Sequence, residues 1–215
     1  MRFADGSQYH GTWFKDKAHG RGRKIYTNGN VYEGEWFNDL PHGQGSQQLF
    51  SGGRSEGIWL QGLLHGQGKE TWPDGSMYEG CYQRGLKHGD GFFQWPDGSS
   101  FRGQFESNNI EGSGTYTWGN KCTYAGRWKN NQMHGKGKFL WPDGRLFIGN
   151  YSHDKRHGKG LLTLPNGSKV KGIWVNGKLQ GEAQETGPTG IVQTKTYSEG
   201  RECDSQATNS SGQDM

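Results

Sequence analysis

The chain has 215 residues, of which 39 are glycine, 6 proline and only 29% hydrophobic, and its formal net charge is +4. So small a charge argues against a phosphate-tracking protein, which gathers Lys and Arg on one face or stripe, and no nucleic acid is expected as a partner. The three Cys, 81, 122 and 203, have neither a disulfide-framework nor a CxxC spacing, and no apolar run reaches the roughly 20 residues that span a bilayer, so a cytoplasmic protein with free thiols is expected.

Composition by itself leans toward disorder, but an internal period overrules it. Aligned on Tyr78, equivalent positions fall at Tyr9, Tyr32, Ser55, Tyr78, Phe101, Tyr124, Phe147 and Val170, 23 residues apart without an insertion. A fixed period of this size means units that are too small to fold alone and are stabilised by their neighbours. The aligned residue is position 0 below.

In chain order, residues 1 to 8 open on Phe3-Ala4-Asp5-Gly6, which matches the later corner Trp72-Pro73-Asp74-Gly75, as a piece of a longer array would. Eight units follow. Position +2 is Gly in all eight, and +4 is a large aromatic in all eight: Trp13, Trp36, Trp59, Tyr82, Phe105, Trp128, Tyr151 and Trp174. Positions 0, +2 and +4 alternate with polar residues such as Glu33, Glu35, Arg102 and Gln104, the period of a half-buried strand. Position +7 is always Asp, Asn or Gly, residues that tolerate positive φ, so a turn is expected there. A second strand starts from Gly at +11 and +13, with Ala183 the exception, and a Gly-bearing corner follows at +18 to +20, where Lys121 replaces Gly and predicts a different corner.

Each unit therefore reads as a β-hairpin. The expected register places +4 opposite +11, +2 opposite +13 and 0 opposite +15 within a hairpin, and +17 opposite the next unit's 0 across the corner. In that register each +4 ring lies between bare glycines, which explains glycine in strands it would otherwise weaken. The fold class is all-β: a repeat protein, an elongated single-layer antiparallel meander of about eight hairpins, on the order of 75 Å long at about 4.8 Å per strand. Residues 1 to 190 form the array, and residues 191 to 215 read as a polar, disordered tail.

The unit resembles the MORN (membrane occupation and recognition nexus) repeat, whose pattern is close to YEGEWxxGxxHGxGxxxxxDGxx. Tyr32-Glu33-Gly34-Glu35-Trp36, Tyr78-Glu79-Gly80, His42-Gly43-Gln44-Gly45 and His88-Gly89-Asp90-Gly91 carry the resemblance. It implies a ribbon of antiparallel hairpins and a non-enzymatic scaffold in a cytoskeletal, ciliary or flagellar assembly. Departures at Ser55, Val170, Glu111 and Gln180 leave contacts in the third, fifth and eighth units open.

No catalytic arrangement, metal site or cofactor motif is read. The repeated His at +10 (His19, His42, His65, His88, His134, His157) would recur about every 10 Å, too far apart to share one zinc with ligands at about 2 Å. A single-layer ribbon leaves its row of +4 aromatics partly open, and the expected function is a scaffold that docks a partner helix along Trp13, Trp36, Trp59, Tyr82, Phe105, Trp128, Tyr151 and Trp174. The alternatives are an anionic-phospholipid tether contacting membrane through Lys15, Lys17, Arg21, Arg23 and Lys24, and a fragment of a larger multidomain protein. End-to-end association of copies is a further expectation for such a ribbon.

Overall fold

The computed structural model describes residues 1 to 203. It consists of antiparallel strands, with no helix among the described residues. The described residues fold as two compact units, one of residues 1 to 131 and one that begins at Gln132. The first holds β1 (Gln8–Phe14), β2 (Lys17–Ile25), β3 (Val31–Phe37), β4 (Leu40–Gln48), β5 (Arg54–Leu60), β6 (Leu63–Thr71), β7 (Met77–Gln83), β8 (Leu86–Gln94), β9 (Ser100–Glu106), β10 (Asn109–Thr117) and β11 (Thr123–Lys129). The second holds β12 (Gln132–Leu140), β13 (Leu146–Ser152), β14 (Lys155–Thr163), β15 (Lys169–Val175), β16 (Lys178–Thr186), β17 (Val192–Ser198) and β18 (Arg201–Glu202). Within each unit every strand pairs antiparallel with the strands before and after it in the chain.

The hairpin turn lies where the positive-φ pattern placed it. Positions +6 and +7 both take left-handed angles, as in Lys15 (φ 48°) with Asp16 (φ 61°) and Asn38 (φ 49°) with Asp39 (φ 71°). Two successive positive φ values define the type I′ turn, whose twist matches that of the flanking strands. The turn then docks on the preceding hairpin: Asp39 N–H donates to Ala18 O at 3.0 Å, and Ala18 N–H donates to Asp39 Oδ1 at 2.7 Å. Asn108 with Lys87, Asn131 with Ile110, and Asp154 with Met133 repeat this reciprocal pair. The Asp or Asn at +7 thus has two roles, turn former and acceptor for the neighbouring hairpin.

The register corrects the expectation in part. Gly at +2 does face Gly at +13, and 0 does face +15, as in Gly103 with Gly114 and Phe101 with Tyr116. Position +4, however, faces +9, as Phe105 faces Ile110, and across the corner +15 rather than +17 faces the next 0, as Tyr116 faces Tyr124. The cause is a β-bulge between +9 and +13, centred on Gly at +11 (Gly112, φ +76°), which takes up the surplus residues of the longer strand. Residues +17 to +21 are left for the corner, where Trp72 N–H donates to Ser76 O and Gly75 N–H to Trp72 O, both at 3.0 Å. The Asp74 carboxylate closes this corner by accepting from Ser76 N–H and Oγ, and these bonds hold its carboxyl below the usual carboxylate range.

Two further expectations are overturned. The corner at Lys121 is not different, because Lys121 itself adopts φ 68° and donates its N–H to Trp118 O at 2.8 Å, while Asn120 Oδ1 accepts from Cys122 N–H. Residues 192 to 203, expected as tail, extend the sheet: β17 pairs with β16 from Gly181 opposite Tyr197 to Thr186 opposite Val192. Tyr197 stands 23 residues after Trp174 and Gly200 23 after Gly177, a ninth half-repeat whose position 0 is the polar Gln193. The remainder of the expected tail, 204 to 215, lies outside the described residues.

Candidate protein-docking surface

Positions 0, +2 and +4 share one face of the sheet, and there the rings bury one another. Tyr32 is wholly buried and lies flat over the glycine pair Gly34 and Gly45, where a Cβ on Gly45 would stand 2.5 Å from Tyr32 Cζ. It meets Trp36 of its own hairpin edge-on at 5.1 Å and Trp59 of the next at 5.2 Å. Tyr78 with Tyr82 and Phe105, Phe101 with Phe105 and Trp128, and Phe147 with Tyr151 and Trp174 repeat the same T-shaped geometry. Such pairs contribute about 0.5–1.5 kcal/mol each beyond area burial. The polar tips are satisfied too. Tyr32 Oη donates to Glu35 O at 3.1 Å, and Trp36 Nε1 donates to Gly22 O at 2.9 Å. Glycine therefore seats the ring at 0, whereas the expectation gave that seat to the ring at +4.

This packing changes the candidate site. Trp36, Trp59, Tyr82, Phe105, Trp128, Tyr151 and Trp174 are all buried, none more than 6% exposed, and only Trp13 is open, at 39%. The row expected to stay partly open for a partner is a core: Trp36, Phe105 and Trp128 are each enclosed by the position 0 rings of two hairpins, and Trp59 and Phe105 also face the apolar +9 side chains Leu64 and Ile110, which the sequence reading did not single out.

The five basic residues do not share a surface. Lys24 projects from the aromatic face, its Nζ 5.1 Å from the centre of Phe3 and 5.2 Å from that of Tyr26. Arg21 and Arg23 line a groove on the opposite face, where Arg23 is 3.7 Å from Glu33, and Lys15 and Lys17 lie at the hairpin turn. An alternating pattern in a strand splits a run of charge between two faces.

Where Ser55 replaces the aromatic at position 0, a polar cluster fills the gap. Ser55 Oγ donates to Glu70 at 3.1 Å, Tyr82 Oη donates to Glu70 at 2.8 Å, and Lys87 Nζ stands 3.8 Å away from that carboxylate. Burial pushes the Tyr82 hydroxyl far up and the Lys87 ammonium down, the latter partly offset by Glu70. Lys87 also sits over the rings of Trp72 and Tyr78 at 4.9 and 5.3 Å. The cluster is a packing solution, since Glu70 and its donors lie on the same face as the ring ladder.

The opposite, outer face carries what is exposed. A groove of about 1070 Å³ crosses the first four repeats, floored by the Gly34, Gly45, Gly57 and Gly68 backbones and walled by side chains at +1, +3, +12 and +14. Beside it, toward the hairpin turns, positions +5 and +8 present Phe14, Phe37, Leu40, Leu60, Leu63 and Leu86, each 40% to 55% exposed. His19 is sandwiched between Phe14 and Phe37 at 5.5 and 5.1 Å, and His42 packs on Phe37 at 5.4 Å, so these two +10 histidines belong to this strip. Among the described residues no group of three or more His, Cys, Asp or Glu is placed to hold a metal ion.

Among solved structures, the chain is similar to the TCP domain of SAS-4 (dCPAP) from Drosophila melanogaster in complex with a proline-rich motif of Ana2, at 16% identity over 80% of this chain and 92% of that one, with a TM-score of 0.48. It is also similar to the TCP10c domain of Sas-4 from the same organism, at 12% identity over 89% and 99% with a TM-score of 0.40, and to the TCP10 domain of Danio rerio CPAP, at 12% over 92% and 99% with a TM-score of 0.30. No match was found among curated proteins. The MORN repeat model matches residues 9–31, 32–54, 56–77, 78–100, 101–123, 124–144, 147–169 and 171–192, which is hairpin by hairpin the unit described above. Eight consecutive matches that follow the glycine-seated ring ladder over nearly the whole described chain place it in the MORN-repeat family.

Proposed function

We propose that this protein is a non-enzymatic scaffold that docks an amphipathic helix of a protein partner on its outer face, along the apolar strip of the first four repeats. The observation that carries this reading is the confinement of the strip. Positions +5 and +8 are Phe or Leu at Phe14, Phe37, Leu40, Leu60, Leu63 and Leu86, whereas the fifth to seventh repeats carry Glu106, Asn109, Lys129, Gln132, Ser152 and Lys155 there. Packing within the sheet does not account for that difference, because these side chains face away from the ring ladder. Exposed apolar strips of this kind serve partner binding. A helix suits the spacing: successive hairpins advance by two strands, about 9.6 Å, and a heptad of helix advances by about 10.5 Å. The assembly the family resemblance suggests is cytoplasmic and cytoskeletal or ciliary.

Proximity labelling in native cells tests the reading. Proteins labelled by the wild type should be lost with the Phe37→Ser, Leu63→Ser double variant and retained with the control Glu106→Ala. An unchanged set from the folded double variant would overturn it. Sedimentation with anionic vesicles that is lost with Lys15→Glu and Lys17→Glu and falls with salt would favour the tether instead.

A further inference from the structure

The outer face of the second unit has a different chemistry from that of the first, and the register shows it directly. One cross-strand row runs Lys138, Ile148, Leu161, Lys171, Gln184, from the pairings of Lys138 with Ile148, Ile148 with Leu161, Leu161 with Lys171 and Lys171 with Gln184. Beside it Lys136 faces Asn150 and Lys159 faces Ile173. Ile148 and Ile173 are 49% and 47% exposed, and with Leu161, Lys159 and Lys171 they line a groove of about 720 Å³.

In the first unit three outer-face cations stand beside carboxylates: Arg23 3.7 Å from Glu33, Arg54 3.1 Å from Glu56 and Lys69 3.9 Å from Glu79. In the second, Lys136, Lys138, Lys159 and Lys171 have no carboxylate within ion-pair distance among the described residues. Glu182, on β16, is the only acidic residue that lines it. Four exposed ammonium groups thus flank three aliphatic side chains, and neither set has a partner role in the fold.

We infer that this groove is a second docking site, for an extended acidic segment of a protein partner that alternates carboxylates with aliphatic side chains. Carboxylates would face Lys159 and Lys171, and aliphatic groups would cover Ile148, Leu161 and Ile173. The lining side chains come from β13 to β17, four strand steps. At about 4.8 Å per step and about 3.3 Å per extended residue, the segment has about six residues. A groove with apolar walls favours a linear peptide over a flat anionic surface, because the aliphatic side chains of a peptide can descend between the rows while lipid headgroups present only charge. This site is separate from the helix strip, and its test does not depend on that reading.

The experiment uses the full chain and three probes: a fluorescent peptide alternating Glu and Leu, the same peptide with Lys for Glu, and vesicles containing anionic phospholipid. The acidic peptide should bind, weaken with rising salt, and lose about tenfold or more in affinity with Lys159→Glu and Lys171→Glu. Ile148→Ser with Ile173→Ser should weaken it as well without lowering the melting temperature, and Lys159→Ala with Lys171→Ala serves if the reversals disturb folding. Acidic and basic peptides binding equally, or acidic binding unaffected in the folded lysine variants, would overturn the site. Binding of vesicles but not of the acidic peptide would also overturn it, in favour of a membrane.

Discussion

At the scale of single residues, glycine has two separable roles. A Cβ on Gly80 would stand 2.6 Å from Gly91 Cα and 2.6 Å from the Tyr78 hydroxyl, and the backbone it meets belongs to the paired strand and cannot turn aside. A Cβ on corner Gly75 would meet nothing within 4 Å, and there only the φ of +88° opposes a side chain. Gly80→Ala should therefore cost about 3 kcal/mol by overpacking and Gly75→Ala about 1 kcal/mol by strain, compared as shifts in urea midpoint. The position 0 tyrosines add a pH dependence. Burial holds the hydroxyls of Tyr32 and Tyr78 well above their ordinary value of 10.0. Because the unfolded chain releases these protons first, the stability they contribute is fully present below about pH 10 and is lost as pH rises beyond it. Phe101 and Phe147 show that the hydroxyl is dispensable for packing. Tyr32→Phe with Tyr78→Phe should cost about 1 kcal/mol per lost hydrogen bond at neutral pH, yet flatten the alkaline decline in melting temperature.

At the scale of the hairpin, the turn-to-turn contact explains a variation in the sequence that otherwise looks arbitrary. Position +7 is Asp39 where the neighbour is Ala18, whose N–H needs an acceptor. It is Gly62 where the neighbour is Pro41, which has no N–H to donate, and Gly62 makes only the backbone bond to Pro41 O at 2.9 Å. Gly85 docks on Leu64 in the same way, although Leu64 does have an N–H. Gly85→Asn should accordingly stabilise by about 0.5–1 kcal/mol, from one added hydrogen bond at a φ that Asn tolerates. Gly62→Asn should gain nothing. Equal gains at both sites, read from thermal melts, would count against the docking role of this side chain.

At the scale of the molecule, within each compact unit a hairpin is held by its chain neighbours alone, through strand pairing, the ring at 0 where one is present, and the +7 dock. Stability is then a sum of hairpin and nearest-neighbour terms, and damage should decay with distance along the array. Hydrogen exchange of Gly80→Ala should show lost protection concentrated in β6 to β9, with β1 to β3 nearly unchanged. A uniform loss across all strands of the first unit would mean it opens as one cooperative block. The same independence lets the outer face vary from hairpin to hairpin at no cost to the core, which is how the first unit carries a Phe and Leu strip and the second a lysine-flanked groove.

The sequence by itself determined the period, the strands, the type of turn residue and the glycine pairing, because these rest on local chemistry: alternation of side chains, positive φ at +7, and the absence of a Cβ where backbones approach. It also identified the large residues at 0 and +4 as one face. What it could not decide was which ring the glycines seat and which face remains open. The register depends on a bulge at +11 whose surplus residues leave no mark in the hydrophobic pattern, and the Phe and Leu at +5 and +8 form a strip only because the two-residue turn sets them opposite one another and the sheet lays the hairpins side by side. The ninth half-repeat, signalled by Tyr197 and Gly200 at the right spacing, was obscured because Gln193 and Lys195 stand where a ring and a glycine belong. Lys195 is held there by Glu185 at 3.2 Å and Glu202 at 2.9 Å, and only the tertiary structure supplies those partners. Burial is a property of neighbours: the aromatic row reads as a surface in one hairpin and becomes a core once hairpins on either side close over it.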